Sequence, residues 1–158
     1  MNAKKFLKII ALIGALVAVL FVVVSLQPAA PLEIDSFPYE FQRLEIGSGV
    51  IEAMVADTPD KRVLGLSNSG SLAPDEGMLF VFDRDDSWGI WMKQMRYAID
   101  IIWMDQDLTV VHYVENVSPD TYPTVFESPT PARYVLEVPN GTIQKNSVNL
   151  GTEVVLID

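Results

Sequence analysis

Two charged residues interrupt otherwise apolar runs in the middle of the chain: Lys93, directly after Trp91-Met92, and Asp100, inside AIDII. A charge in such a run is costly unless it is paired, hydrogen-bonded or turned toward a cleft. Convergence of the two beside Trp91 would give a carboxylate polarised by an ammonium, able to act as an acceptor or general base. The opposite reading is a structural ion pair or an outward-facing alternation. Glu76 and Glu137 also sit at the edge of or within apolar runs, and Arg133 lies four residues before Glu137, so the two share a face if that segment is a strand. Catalytic candidates are therefore Asp100, Lys93 and Glu137, and ligand-binding candidates are Trp91, Lys93, Asp100, Arg133 and Glu76.

Other chemistries are less well supplied. Trp88, Trp91 and Trp103 could form an aromatic wall for a sugar or another planar ligand, although tryptophan is equally at home in a core. Asp83, Asp85 and Asp86 offer hard oxygen ligands, but their spacing matches no EF-hand loop, so they read as a solvated turn. There is no cysteine and a single histidine, His112, which removes thiolate chemistry and thiolate or His-rich metal sites. G-x-S-x-G, P-loop, G-x-G-x-x-G and H-E-x-x-H patterns are all missing. No metal and no cofactor are expected.

Three segments must position these residues. Positions 9–26, IIALIGALVAVLFVVVSL, are 18 residues without a charge, preceded by Lys4, Lys5 and Lys8. That length approaches a membrane span, and the basic flank puts the N-terminus in the cytoplasm and the C-terminal domain outside. Residues 1–26 are thus expected to be a basic stub and a transmembrane helix. The alternative is secretion after cleavage of a signal peptide, against which stand the length of the run and Pro31 after the small pair Ala29-Ala30. Residues 27–40, with prolines 28, 31 and 38, read as an extended linker.

The remaining segment, 41–158, reads as one compact domain that is mainly β, a sandwich or barrel-like fold with two short helices. Strands are expected over 41–46 and 50–55, joined by Gly47-Ser48-Gly49, and then over 77–82, where the acidic cluster after Phe82 ends the run. Further strands are expected over 88–92, 98–104, 108–117, 133–138 and 153–157. Thr58-Pro59 is a helix start, with an N-cap side chain followed by proline at the first helical position. A second helical turn fits 140–147. Prolines 119, 123, 129 and 131 make 118–131 a long loop and a candidate binding edge.

Charge narrows the partners. After the three N-terminal lysines the chain holds 8 Lys and Arg against 21 Asp and Glu, a net charge of −13. Phosphate backbones need basic neutralisation, so nucleic acid is excluded as a partner. A cationic, neutral or metal-bridged partner fits better.

Five blocks in order carry a family resemblance: GL at Gly65-Leu66, DEGMLFVF at 75–82, WMK at 91–93, IDII at 99–102 and PARYVLEVPNG at 131–141. Together they resemble the domain of unknown function 192 family. The resemblance implies a compact β-rich domain of bacteria and archaea, often behind a signal or anchor segment, and brings no established activity. Two departures stand out. Ser67-Asn68-Ser69 replaces the Met and nearby Arg that usually follow the Gly-Leu, and Gln94-Met95 replaces an Asn-Thr pair. Roles tied to those family residues are not carried over.

Taken together, these features read as a membrane-anchored extracytoplasmic module of the cell envelope that binds a small molecule, a glycan or an envelope protein. The runner-up is a small envelope hydrolase or lyase with Asp100 or Glu137 as acid or base and Lys93 as helper. A third reading is a structural subunit docking on a larger envelope complex.

Overall fold

In a computed structural model of the chain, the described residues are 38–158. The expected membrane span and most of the expected linker lie outside them. Among the described residues no helix is long and apolar enough to cross a membrane.

The first strands obey the turn chemistry of the sequence. β1 (Phe41–Ile46) and β2 (Gly49–Ala56) form an antiparallel hairpin in which Gly47 takes φ 58°, a left-handed conformation that glycine adopts without strain. Helix α1 (Pro59–Leu64) starts as its cap predicts: Thr58 Oγ1 accepts from the Lys61 N–H at 3.3 Å, and proline fills the first position, where no donor is missed. It stops at Gly65, whose N–H reaches Lys61 O at 2.8 Å.

The chain then returns in β3 (Glu76–Asp86), parallel to β2. β4 (Ile90–Trp91) is short and lies apart from the main sheet. β5 (Ile99–Met104) and β6 (Val110–Val117) make the second hairpin. After a 3-10 turn at Pro119–Thr121, β7 (Val125–Phe126) pairs with β4 in a two-stranded ribbon. β8 (Ala132–Pro139), helix α2 (Thr142–Lys145) and β9 (Val154–Ile157) complete the domain.

Seven strands form one mixed sheet in the order β6-β5-β8-β3-β2-β1-β9. Its two edges meet: Thr109 bridges Glu153, the Val110 N–H reaches Thr152 O at 2.9 Å, and the Val154 N–H reaches Leu108 O at 3.0 Å. The sheet is therefore curled into a barrel-like form, which covers edges that would otherwise invite foreign strands.

Both faces of the sheet are apolar. The inner cluster contains Leu44, Ile51, Leu79, Ile102, Leu136 and Val138, among others. The outer cluster contains Met78, Phe80, Ile99, Ile101, Trp103 and Val135, closed over by Leu66, Ile90 and Met92 from the connecting segments. Burial on both sides explains the unbroken apolar runs, most clearly in β5, where all six residues are buried. Each fully buried large aliphatic side chain contributes roughly 1.5–3 kcal/mol.

Several expected boundaries are corrected. The acidic cluster does not end β3, which runs on through Asp86. Asp83 and Asp85 are exposed there, and Arg133 and Arg84 hold Asp85 and Asp86 at 2.7 and 3.0 Å, so the charges stay in water while the backbone remains extended. The expected strand over 88–92 shrinks to two residues, and the 118–131 segment gains the 3-10 turn and β7.

Candidate functional site

A groove of about 300 Å³ opens on the outer face, lined by Pro59, Arg62 and Val63 from α1, Phe80 and Phe82 from β3, and Gly89, Ile90 and Trp91 around β4. Period-2 alternation in GMLFVF puts Phe80 and Phe82 on one face, so β3 supplies an aromatic floor. Phe82 stacks on Trp88 with ring centroids 4.0 Å apart, and Trp88 Nε1 donates to Arg84 O at 3.2 Å. Arg62 is the polar member of the wall. Its Nη1 donates to Asp57 O and Val81 O, both at 2.8 Å, and its guanidinium lies 5.2 Å over the Phe82 ring. With its hydrogen bonds so directed, it presents a flat cation on an aromatic face.

The rim is apolar and open to solvent. Trp91 is 46 % exposed and Val63 is 66 % exposed, with Tyr122 and Val125 also exposed beside Trp91. Trp91 and Tyr122 meet edge to face at 6.2 Å, and Val125 is the register partner of Trp91 across the β4–β7 ribbon. Gly89 permits this approach, because a Cβ there would lie 2.6 Å from Val125 Cγ1.

The charged residues singled out in the sequence take separate places. Asp100 is fully buried, and alternation along β5 turns it to the side of Ile102 and Met104, away from Ile99 and Ile101. Its Oδ1 accepts from the Asn116 N–H at 2.9 Å, and its Oδ2 from the Gly141 and Ile143 N–H groups at 3.0 Å each. It ties the end of β6 to the start of α2 and has the partners of a structural anchor. Lys93 is exposed, with its ammonium 5.5 Å over the Trp91 ring. The convergence of Lys93 and Asp100 that the catalytic reading requires is replaced by two separate placements. The physical reason is strand alternation, which sends Asp100 to the inner face.

Arg133 pairs with Asp85 rather than Glu137, its Nε 2.7 Å from Oδ1. Glu76 is exposed and accepts from the Ala73 N–H at 2.8 Å, closing the turn before β3. Of the tryptophans, Trp103 is core: it is fully buried and donates from Nε1 to Trp88 O at 2.9 Å. Of the three tryptophans, Trp91 is the exposed one. His112 packs against Trp103 with ring centroids 5.4 Å apart. Among the described residues, no group of three or more His, Cys, Asp or Glu side chains is placed to hold a metal ion.

Glu137 is the unusual acid. It is 5 % exposed on the outer face of the sheet, and burial pushes its carboxyl up to about 8. Nearby, Tyr97 is pushed above its usual value by burial, which outweighs the opposing hydrogen bond from Ser69; the negative charges of Glu137 and Glu76 add to the rise. Sequence reasoning named Glu137 but missed Tyr97, Ser69 and the groove residues Arg62, Val63, Phe80 and Phe82. For the phenylalanines the alternation in GMLFVF was the available signal. Nothing local marked the others.

The fold and groove define a small mixed-sheet β domain with an aromatic-lined cleft on the outer face of its sheet. The family model DUF192, described as an uncharacterized ACR, matches residues 42–156, and the chain belongs to that family. No curated protein matches it. Among solved structures, a Sinorhizobium meliloti 1021 protein provisionally described as a transcription regulator is 27 % identical with a TM-score of 0.72, the alignment covering 76 % of this chain and 96 % of that one. A protein of unknown function from Novosphingobium aromaticivorans DSM 12444 is 23 % identical with a TM-score of 0.69, covering 82 % and 94 %. The second likeness bears on the fold alone.

Proposed function

We propose that the chain is a membrane-anchored, extracytoplasmic peptide-binding module of the cell envelope, whose Trp91 groove receives an aromatic or branched aliphatic side chain of a basic partner segment. The observation that carries this is the groove itself: about 300 Å³, floored by Phe80 and Phe82 and rimmed by exposed Trp91 and Val63. Clefts that are mostly apolar with a few placed polar groups are the usual form of binding sites. Most of the lining is apolar or aromatic, and Arg62 Nη1 is already committed to backbone carbonyls. An apolar side chain matches the lining better. The net charge of −13 beyond the lysine stub favours a partner rich in Lys or Arg.

Binding is preferred to catalysis because Asp100 is committed to three backbone donors and Lys93 is not beside it. The same acidic charge weighs against extending the transcription-regulator description of the Sinorhizobium protein to this chain. The anchor and its orientation rest on the uncharged 9–26 run and on Lys4, Lys5 and Lys8 before it.

The test is a fluorescence titration of the full-length chain in mild detergent with the end-blocked tripeptide Lys-Phe-Lys, set against Lys-Ser-Lys and Glu-Phe-Glu. The proposal expects Lys-Phe-Lys to bind tightest and Trp91→Ala to abolish its advantage over Lys-Ser-Lys. Equal affinities for the three peptides, or a Phe preference that survives Trp91→Ala, would overturn it.

A further inference from the structure

The outer face of the sheet holds a polar side chain that the groove does not use. Glu137 stands on β8, across from Met78 of β3 and Ile101 of β5. Its Oε2 is buried with no hydrogen-bond partner among the described residues. Neither protonation state cures this: the ionised carboxylate lacks a donor and the neutral acid lacks an acceptor for its O–H. An unsatisfied buried polar group of this kind costs about 1–3 kcal/mol, so a donor that reached Oε2 would be favoured there.

The Tyr97 phenol lies within electrostatic reach of Glu137. Tyr97 is half-buried, its hydroxyl 2.8 Å from Ser69 Oγ, and Ser69 donates back to Leu66 O at 2.7 Å. The same loop is held by the Ser67 hydroxyl on Lys93 O at 2.9 Å and by the Asn68 N–H on Gln94 O at 3.0 Å. At its tip Gly70 is exposed, with nothing within 4 Å of where a Cβ would stand. The titratable groups in electrostatic reach of the Tyr97 phenol are Glu137 and Glu76, both acids.

We propose that Glu137, with the hydrogen-bonded Tyr97 and Ser69 pair near it, is a recognition site for an organic cation, a guanidinium or primary ammonium inserted beneath the 66–71 loop. Its N–H groups supply the donors that Oε2 lacks, and its hydrocarbon stem suits the walls formed by Met78 and Ile101. A hydrated metal ion fits less well, since it would need several oxygen ligands and among the described residues no three His, Cys, Asp or Glu side chains are placed to hold one. The excess of acids over bases raises the local concentration of such cations. This site stands on Glu137 and its surroundings and does not depend on the Trp91 groove.

The experiment is isothermal titration of the full-length chain in mild detergent with butylguanidinium, and with end-blocked Gly-Arg-Gly against the same peptide carrying citrulline. Because Glu137 holds its proton up to about pH 8, binding at pH 7 should release close to one proton per cation, read from the dependence of the heat on the buffer. At pH 9.5 the release should fall to near zero. Between pH 6 and 7 the affinity should rise about tenfold, as expected for a proton displaced by the ligand. Glu137→Gln should weaken binding about 30-fold or more, which is about 2 kcal/mol, while Trp91→Ala leaves it within about twofold. Binding of butylguanidinium alone identifies a free small cation, and binding of the Arg but not the citrulline peptide identifies a partner's side chain; either supports the site. No binding of any cation, or binding that Glu137→Gln leaves intact, overturns it. A failure of the Lys-Phe-Lys ranking would leave this result untouched, so the two proposals fail separately.

Discussion

Replacing Glu137 by glutamine keeps the shape of the side chain and removes its charge, and the structure sets the size of the effect. The folded carboxyl titrates near 8 against 4.5 for a free glutamate. Between those values the folded chain holds a proton that the unfolded chain has released. Stability is therefore fullest below about pH 4.5 and is lost as pH rises toward 8. Integrating that difference for one site gives a loss of about 3 kcal/mol between pH 5 and pH 7.5, and about 1 kcal/mol more by pH 9. Tyr97 is pushed upward from 10 and so titrates outside this window. Glu137→Gln should remove this slope and make the variant the more stable protein at pH 7.5 and above. The assay is urea unfolding of both full-length chains in the same detergent at pH 5, 7.5 and 9, monitored by tryptophan fluorescence. The difference between the two pH profiles isolates Glu137 from the other acids. Parallel profiles, or a variant that loses stability relative to the parent as pH rises, would refute the reasoning.

Asp100→Asn replaces the acceptor of three backbone N–H groups by an amide, and the loss should be about 3 kcal/mol with the groove's peptide affinity unchanged in the folded fraction; a stable variant with weakened peptide binding would make Asp100 a site residue. Gly89→Ala forces a methyl against Val125 and should cost about 1–3 kcal/mol and weaken Lys-Phe-Lys binding, because the β4–β7 ribbon that carries Trp91 must shift; urea unfolding and the same titration check both. A phosphatase reporter fused after Asp158 should be active, since that enzyme folds only outside the cytoplasm, and a β-galactosidase fusion at the same place should be silent; the reverse pattern would reject the proposed orientation.

Where local chemistry decides the structure, the sequence could be read. Gly47-Ser48-Gly49 marks the first hairpin and Thr58-Pro59 the start of α1, because turn and cap residues act over three or four positions. The β5–β6 pair is legible as two apolar runs around Asp105-Gln106-Asp107. Nothing local announces that β3 runs parallel to β2 or that β8 lies between β3 and β5, since those pairings depend on the whole sheet. Strand alternation separates Asp100 from the face that carries Ile99 and Ile101, and with both faces buried there is no polar side in the sequence from which to tell that direction. Trp91 was legible as an aromatic candidate, but Trp88 and Trp103 resemble it in sequence and differ only in what packs on them. Ser69 and Tyr97 meet across 28 positions, a distance over which composition carries no signal.

Whether the Trp91 groove receives an apolar side chain of a basic segment is decided by amide-proton NMR of the isotope-labelled full-length chain, titrated with end-blocked Lys-Phe-Lys. Shifts should appear at Val63, Phe80, Phe82, Gly89 and the indole N–H of Trp91, saturate with one peptide per groove, and at those groove positions vanish in Trp91→Ala. Shifts confined to other faces, such as the β9 edge at Val155 and Leu156, or no saturable shift at all, would contradict the proposed role of the groove.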